Sequence, residues 1–127
     1  MNSGRTLAVA GLLLALATAS GAFGAHALKG HLPAGRLELW ETAVRYHFLQ
    51  ALGLLGVGLT LRALDSGALR AAAALIAVGI VLFSGSLYAL ALGAPRALGV
   101  LTPLGGLSWI IAWLLFASGV WREGLKE

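Results

Sequence analysis

The chain has 127 residues, enough for one domain, and is 59% apolar and 11% charged, against about 45–50% and about 25% in a soluble domain. A soluble fold of this size has too little interior to hide so much apolar surface, so the solvent that accepts it is lipid. The absence of cysteine excludes disulfides, thiolate metal sites and thiol nucleophiles, and the net charge of +4 comes from single basic residues at the ends of apolar runs, a pattern of membrane boundaries and not of nucleic-acid binding.

Arg5 precedes an uncharged run from Thr6 to Leu28, long enough for the ~20 residues that span hydrocarbon. A cleaved signal peptide would use the small residues around Ala17, Thr18 and Ala19. The further spans that follow favour a retained helix. Lys29 to Gly35 is a turn punctuated by Gly30, Pro33 and Gly35. The next helix is expected to start at Gly35 or Arg36, with Gly35 as its only tolerable cap. The uncharged run Tyr46–Leu61 is too short to span alone, so this helix is expected to include Glu38, Glu41 and Arg45. Gly53, Gly56 and Gly58 then thin it for close approach by a neighbour.

Arg62 to Arg70 holds the loop Asp65-Ser66-Gly67, with Ser66 as a candidate cap. Ala71 to Pro95 is a third uncharged run. Gly85, Ala89 and Gly93 recur every four residues in it, a stripe suited to helix contact. Arg96 marks the last turn. Pro103 suits the first turn of a fourth helix, Trp109 and Trp113 share a face, and Trp121 beside Arg122 reads as an interfacial anchor. The expected fold is all-α, an integral membrane four-helix bundle in one transmembrane domain, with spans at about 6–28, 36–62, 70–93 and 102–121. Both termini then lie on one side. That side carries Arg5, Arg62, Arg70, Arg122 and Lys126 against Lys29, Arg36, Arg45 and Arg96, a margin of one residue that favours termini in the cytoplasm.

The polar side chains gather in Gly24–Gln50, where an apolar chain is expected to keep its function. The candidate cluster is His26, Glu38, Glu41, Arg45 and His47, joined by Tyr88 from the third span. A helical hairpin puts His26 and His47 on one side at similar depth. Facing each other, they would suit a metal, a haem iron or a proton relay. Bonding neighbouring carbonyls or carboxylates, they would only fix the hairpin, and that plainer reading is preferred. The histidine and carboxylate spacing matches no known zinc signature, so no metal site is assigned. Arg45 is in reach of Glu38 and Glu41, and Glu41–Arg45 has the favourable order for a helical pair. Such pairing holds a carboxylate as the anion and makes it a poor general acid. Tyr88 is expected to hydrogen-bond to His26 or His47. Ser84, Ser86 and Thr102 lie near it, without the glycine elbow or oxyanion donors of a hydrolase.

Four segments, Ser20–Leu28 (SGAFGAHAL), Trp40–Leu52 (WETAVRYHFLQAL), Phe83–Ala91 (FSGSLYALA) and Leu101–Gly106 (LTPLGG), resemble the small membrane proteins grouped as domain of unknown function 423. That group takes in bacterial inner-membrane proteins and the animal relatives of transmembrane protein 256. The resemblance covers essentially the whole chain in the right order. The matching positions are Gly24, His26, Trp40, Arg45, Tyr46, His47, Gln50, Ser84, Gly85, Ser86, Tyr88, Thr102, Pro103 and Gly106. It implies a four-helix protein of the bacterial inner (plasma) membrane and lends neither a mechanism nor catalytic residues.

The functional expectation is a non-enzymatic structural or accessory protein that needs no cofactor. It would form a homo-oligomer or dock to a larger membrane complex, with the lipid bilayer as its surroundings and no nucleic acid as partner. One alternative is a channel or carrier for protons, ions or a small solute, motivated by the His–Glu–Arg–Tyr set. Another is a binder of lipid, quinone or haem at the pocket of the first hairpin.

Overall fold

The uncharged runs form helices, and local chemistry sets where each one ends. The structure, a computed structural model, describes residues 1–126. Helix α1, Ser3–Phe23, opens on Asn2, whose side-chain oxygen accepts the Arg5 amide at 2.8 Å. This cap occupies one of the amide groups that a helix start leaves without a partner. The last turn of the rod widens into a π-helical turn, Gly24–Leu28. Helix α2, Ala34–Ala63, starts directly after Pro33 and has no side-chain cap. Gly35, expected as the cap, lies inside it, because the fixed backbone of Pro33 already directs the chain into the helix.

Helix α3, Gly67–Ala91, is capped by Ser66, which accepts from the Leu69 amide at 3.4 Å. It ends at Gly93, whose φ of +103° belongs to the left-handed region. From there Gly93 N–H reaches the Leu90 carbonyl at 3.1 Å and Ala94 N–H the Ala89 carbonyl at 2.9 Å. A side chain at position 93 would strain this closure. A 3-10 turn, Arg96–Val100, leads into α4, Leu101–Gly124. Pro103 falls in the first turn of α4, where its missing N–H costs nothing.

The four helices form an all-α membrane bundle. α1 packs on α2, α2 on α3 and α3 on α4, while α1 and α4 make no comparable contact, so the ring stays open between them. Leu54, Val57, Leu69 and Ile76 are fully buried at the centre, among Ala51, Ala72 and Ala73. Leu12, Leu16, Val81, Ile110 and Leu114 are exposed on the outer faces. Water would not tolerate such a surface, whereas hydrocarbon does.

Helices α1, α3 and α4 are each long and apolar enough to cross a membrane. α2 does not meet that description, because Glu38, Glu41 and Arg45 interrupt its first half. It is nevertheless packed between α1 and α3, and its 30 residues extend about 45 Å. Its inner face, from Trp40 through His47 and Leu54 to Leu61, is buried along the whole length. α2 thus lies in the bundle between two of these helices, with its charged first turns at the end that holds the α1–α2 connection.

The close approaches between helices are made at glycines. A Cβ on Gly53 would meet the Trp113 ring at 2.5 Å, and one on Gly105 would meet Phe83 N at 2.5 Å and the Gly79 carbonyl at 2.8 Å. Of the expected packing positions, Gly53 is thus a contact. Gly56 and Gly85 face open space, Ala89 is half-buried, and Gly93 lies in the turn beyond the helix. Within the chain this corrects the expected Gly85–Ala89–Gly93 stripe. The face of α3 that meets α4 passes instead through Gly79, against which Trp109 is laid.

Candidate functional site

The site is built at the end of the bundle that holds the α1–α2 and α3–α4 connections. Trp40 enters first. Its ring is buried against Gly24, where a Cβ would lie 2.7 Å from the indole Nε1. The indole N–H donates to the Ser20 carbonyl of α1 at 2.9 Å. The Trp40 ring lies 4.5 Å, centroid to centroid, from Tyr88 of α3. Two turns along α2, His47 is 4% exposed, and its Nδ1 shares a hydrogen bond of 2.8 Å with the Tyr88 hydroxyl. Ser84 is fully buried and donates to the Ala43 carbonyl at 2.8 Å. Ser86 and Thr102 share a hydrogen bond of 2.5 Å between α3 and α4.

Each of these bonds satisfies a polar group that hydrocarbon would leave unmet. One atom escapes that rule: His47 Nε2 is buried and has no partner among the described residues. If Tyr88 donates to Nδ1, Nε2 carries the unmet proton; if Nδ1–H donates, Nε2 is an unmet acceptor. The Leu13 backbone of α1 lies beside the ring but forms no hydrogen bond of good geometry, so Nε2 is the least satisfied polar atom of the site.

The rest of the expected cluster does not assemble. His26, in the π-helical turn, is exposed, as are Glu38, Glu41 and Arg45 on the outer side of α2. The expected Glu41–Arg45 pair is not formed. Among the described residues the ion pairs are Asp65–Arg70 and Glu123–Lys126. The register of α2 separates these charges from His47: burying Trp40, Ala43 and His47 turns Glu38, Glu41 and Arg45 outward, where Glu41 and Arg45 share a face without pairing. At the membrane boundary, headgroups and water solvate these charges, and Arg45 can reach that layer with its long stem.

His26 and His47 therefore do not face one another, and neither lines the slot between α1 and α2. That slot is formed by Gly21, Gly24, Ala25, Trp40, Glu41 and Val44, and encloses about 160 Å³. Sites for drug-sized ligands or cofactors run from about 300 Å³ upward, so a haem bridging the two histidines does not fit this geometry.

Sequence reasoning foresaw the Tyr88–His47 bond and missed the other ties, three of them outside the cluster described above. Arg36 donates from Nε to the Ala91 carbonyl at 2.7 Å. Trp113 donates to the Gln50 side chain at 3.0 Å, and Trp109 to the Ile76 carbonyl at 3.2 Å. The signal available was the tryptophan type itself, a large apolar ring whose N–H must find an acceptor when buried.

Fold and site together define a class: a multi-pass membrane bundle whose helices are fastened by buried single hydrogen bonds, at the end with the α1–α2 and α3–α4 connections and again midway along the helices. Comparison with known proteins makes this specific. Residues 20–106 match the family described as Protein of unknown function (DUF423), and the chain belongs to that family. It is 46% identical over 101 residues to UPF0382 membrane protein YwdK of Bacillus subtilis, covering 79% of this chain and 82% of that one. It is 41% identical over 107 residues to a UPF0382 membrane protein of Staphylococcus saprophyticus, covering 84% and 88%. It is 36% identical over 104 residues to UPF0382 inner membrane protein YgdD of Escherichia coli K12, covering 82% and 79%. No solved structure matches the chain. With its apolar helices and these relatives, the protein is an integral protein of the bacterial inner (plasma) membrane.

Proposed function

We propose that this protein is a non-enzymatic membrane component that acts by association, as a homo-oligomer or within a larger membrane complex, and that α1 supplies the contact. One observation carries this reading. Gly4, Ala8, Gly11, Ala15, Thr18 and Ala22 recur at alternating intervals of four and three along α1, and all are exposed. Small residues at that spacing let a second helix approach closely, which in lipid is the main source of helix association. Lipid chains gain nothing from such a groove, because they pack equally well against leucine. Gly56 and Gly85 add two further open positions on α2 and α3.

The test is separable from folding. Gly11 has nothing within 4 Å of where its Cβ would be, so Gly11→Leu leaves the isolated chain intact while blocking the groove. Native mass spectrometry from nanodiscs formed directly from membranes should show the wild type as a multimer or with a stoichiometric partner. Gly11→Leu should shift it to the single chain. A wild type that emerges alone in every preparation defeats the reading.

Conduction finds less support. The charged residues of the described chain lie at helix ends or on the outer side of α2, and the core between the helices is filled by Leu54, Val57, Leu69 and Ile76.

A further inference from the structure

The last carbonyls of a helix have no partner within the helix and carry its negative dipole end. In α3 the amides of the following turn satisfy Ala89 and Leu90, and the Ala91 carbonyl takes Arg36 Nε–H from α2 at 2.7 Å. This bond fixes the guanidinium while committing only one of its nitrogens. A Cβ on Gly93 would stand 3.1 Å from Arg36 Nη2, so that edge of the guanidinium rests over a glycine. Arg96 stands at the same place, on the first residue of the 3-10 turn. Between the two arginines opens a crevice of about 590 Å³, with Leu39 and Leu90 as its apolar walls.

Neither arginine has a carboxylate partner among the described residues. Glu38 is two residues from Arg36 along α2, a spacing that points the side chains apart. Two unneutralised guanidiniums at the mouth of an apolar cleft, on the boundary of a membrane protein, match one chemistry: a phosphate ester with a hydrocarbon tail.

We propose that the Arg36–Arg96 crevice between α2 and α3 is a binding site for one anionic phospholipid. The phosphate is held by the free Nη groups of Arg36 and by Arg96, and an acyl chain lies along Leu39 and Leu90. A free phosphate would use the arginines and leave the apolar walls uncovered, so the lipid is the occupant. The site does not depend on how the protein associates, since it lies on α2 and α3 and not on the outward face of α1.

The experiment is native mass spectrometry of delipidated full-length protein titrated with phosphatidylglycerol, with phosphatidylcholine or with inorganic phosphate. One retained phosphatidylglycerol per chain is expected, with phosphatidylcholine weaker and inorganic phosphate unable to displace the lipid. Arg96→Gln should weaken retention about five- to tenfold, the weight of one interfacial cation. Because Arg36 also closes α3, Arg36→Gln can lose the fold, and Arg96→Gln, which caps nothing, carries the decision. Arg122→Gln, at the opposite end, should change nothing. Equal retention of the two lipids, undiminished retention in Arg96→Gln, an equal loss in Arg122→Gln, or displacement by inorganic phosphate would each overturn the assignment.

Discussion

The two ends of this bundle are held in different ways. At the end with the α1–α2 and α3–α4 connections, bonds between helices run inward: Trp40 to Ser20, His47 to Tyr88, Ser84 to Ala43, Arg36 to Ala91 and Ser86 to Thr102. At the end with the termini and the α2–α3 loop, the polar contacts are exposed: Asp65 with Arg70, Glu123 with Lys126, and the Met1 amine with the Arg70 carbonyl at 3.5 Å. The first kind of contact is buried or half-buried between helices, and the second is open to solvent. The contrast teaches where orientation of the helices is decided. In lipid the apolar core gives little preference for one helix face over another, so fixed polar ties and glycine contacts must select the register.

The sharpest way to break that frame is at Gly105. A methyl there meets backbone on α3, at Phe83 N and the Gly79 carbonyl, and backbone cannot rotate away. Gly105→Ala should cost about 3 kcal/mol, the upper end for overpacking, read as a shift in unfolding of the reconstituted protein by dodecyl sulfate. The matching change at Gly106, which has open space around its Cβ position, should be close to neutral. Similar losses for both would mean that the α3–α4 contact is looser than described.

The next effect belongs to His47. His47→Ala removes a buried ring, leaves a void and strips Tyr88 of its partner, at an expected cost of about 2 kcal/mol in the same assay. Smaller is the bond itself. A double-mutant cycle of His47→Phe with Tyr88→Phe should give a coupling of about 0.6 kcal/mol, the average for hydrogen bonds between membrane helices. A coupling near zero would reduce the pair to packing. It would also move the emphasis to Trp40, whose ring contacts Tyr88 independently.

Much of the fold is legible in the sequence because the bilayer sets a length. Uncharged runs bounded by Arg5 and Lys29, Arg45 and Arg62, Arg70 and Arg96, and Arg96 and Arg122 mark the bodies of the four helices, and Ser66 and Pro103 announce two of the starts. The site was legible by residue type and not by arrangement. His47 and Tyr88 meet, whereas His26, Glu38, Glu41 and Arg45 lie outside. Clustering in sequence was taken as clustering in space, but residues one, two or five apart on α2 fall on different faces. The period that would have separated them is faint, because the lipid face and the core face are both apolar. Glycine misled in the same way: Gly85 looked like a contact and Gly79 is one, a difference fixed only by where Trp109 arrives. The Arg36 tie to Ala91 links residues 55 apart and depends on how far α2 slides along α3, which no local pattern records.

The smallest predicted effect tests the other end. The Asp65–Arg70 pair looks strong on geometry, yet the two side chains are 72% and 44% exposed. Water and salt screen such a pair, and holding two flexible side chains together costs entropy, so exposed pairs contribute about 0–1 kcal/mol. Asp65→Asn also keeps the loop's shape, and Ser66, not Asp65, supplies the cap of α3. The expected change is therefore below about 0.5 kcal/mol, vanishing at high salt as the Debye length shortens. The contrast between the ends requires this null result beside the losses at His47 and Gly105. If Asp65→Asn destabilised the protein as much as His47→Ala, the α2–α3 loop would be a third fastening point, and helix register would be set from both ends of the bundle.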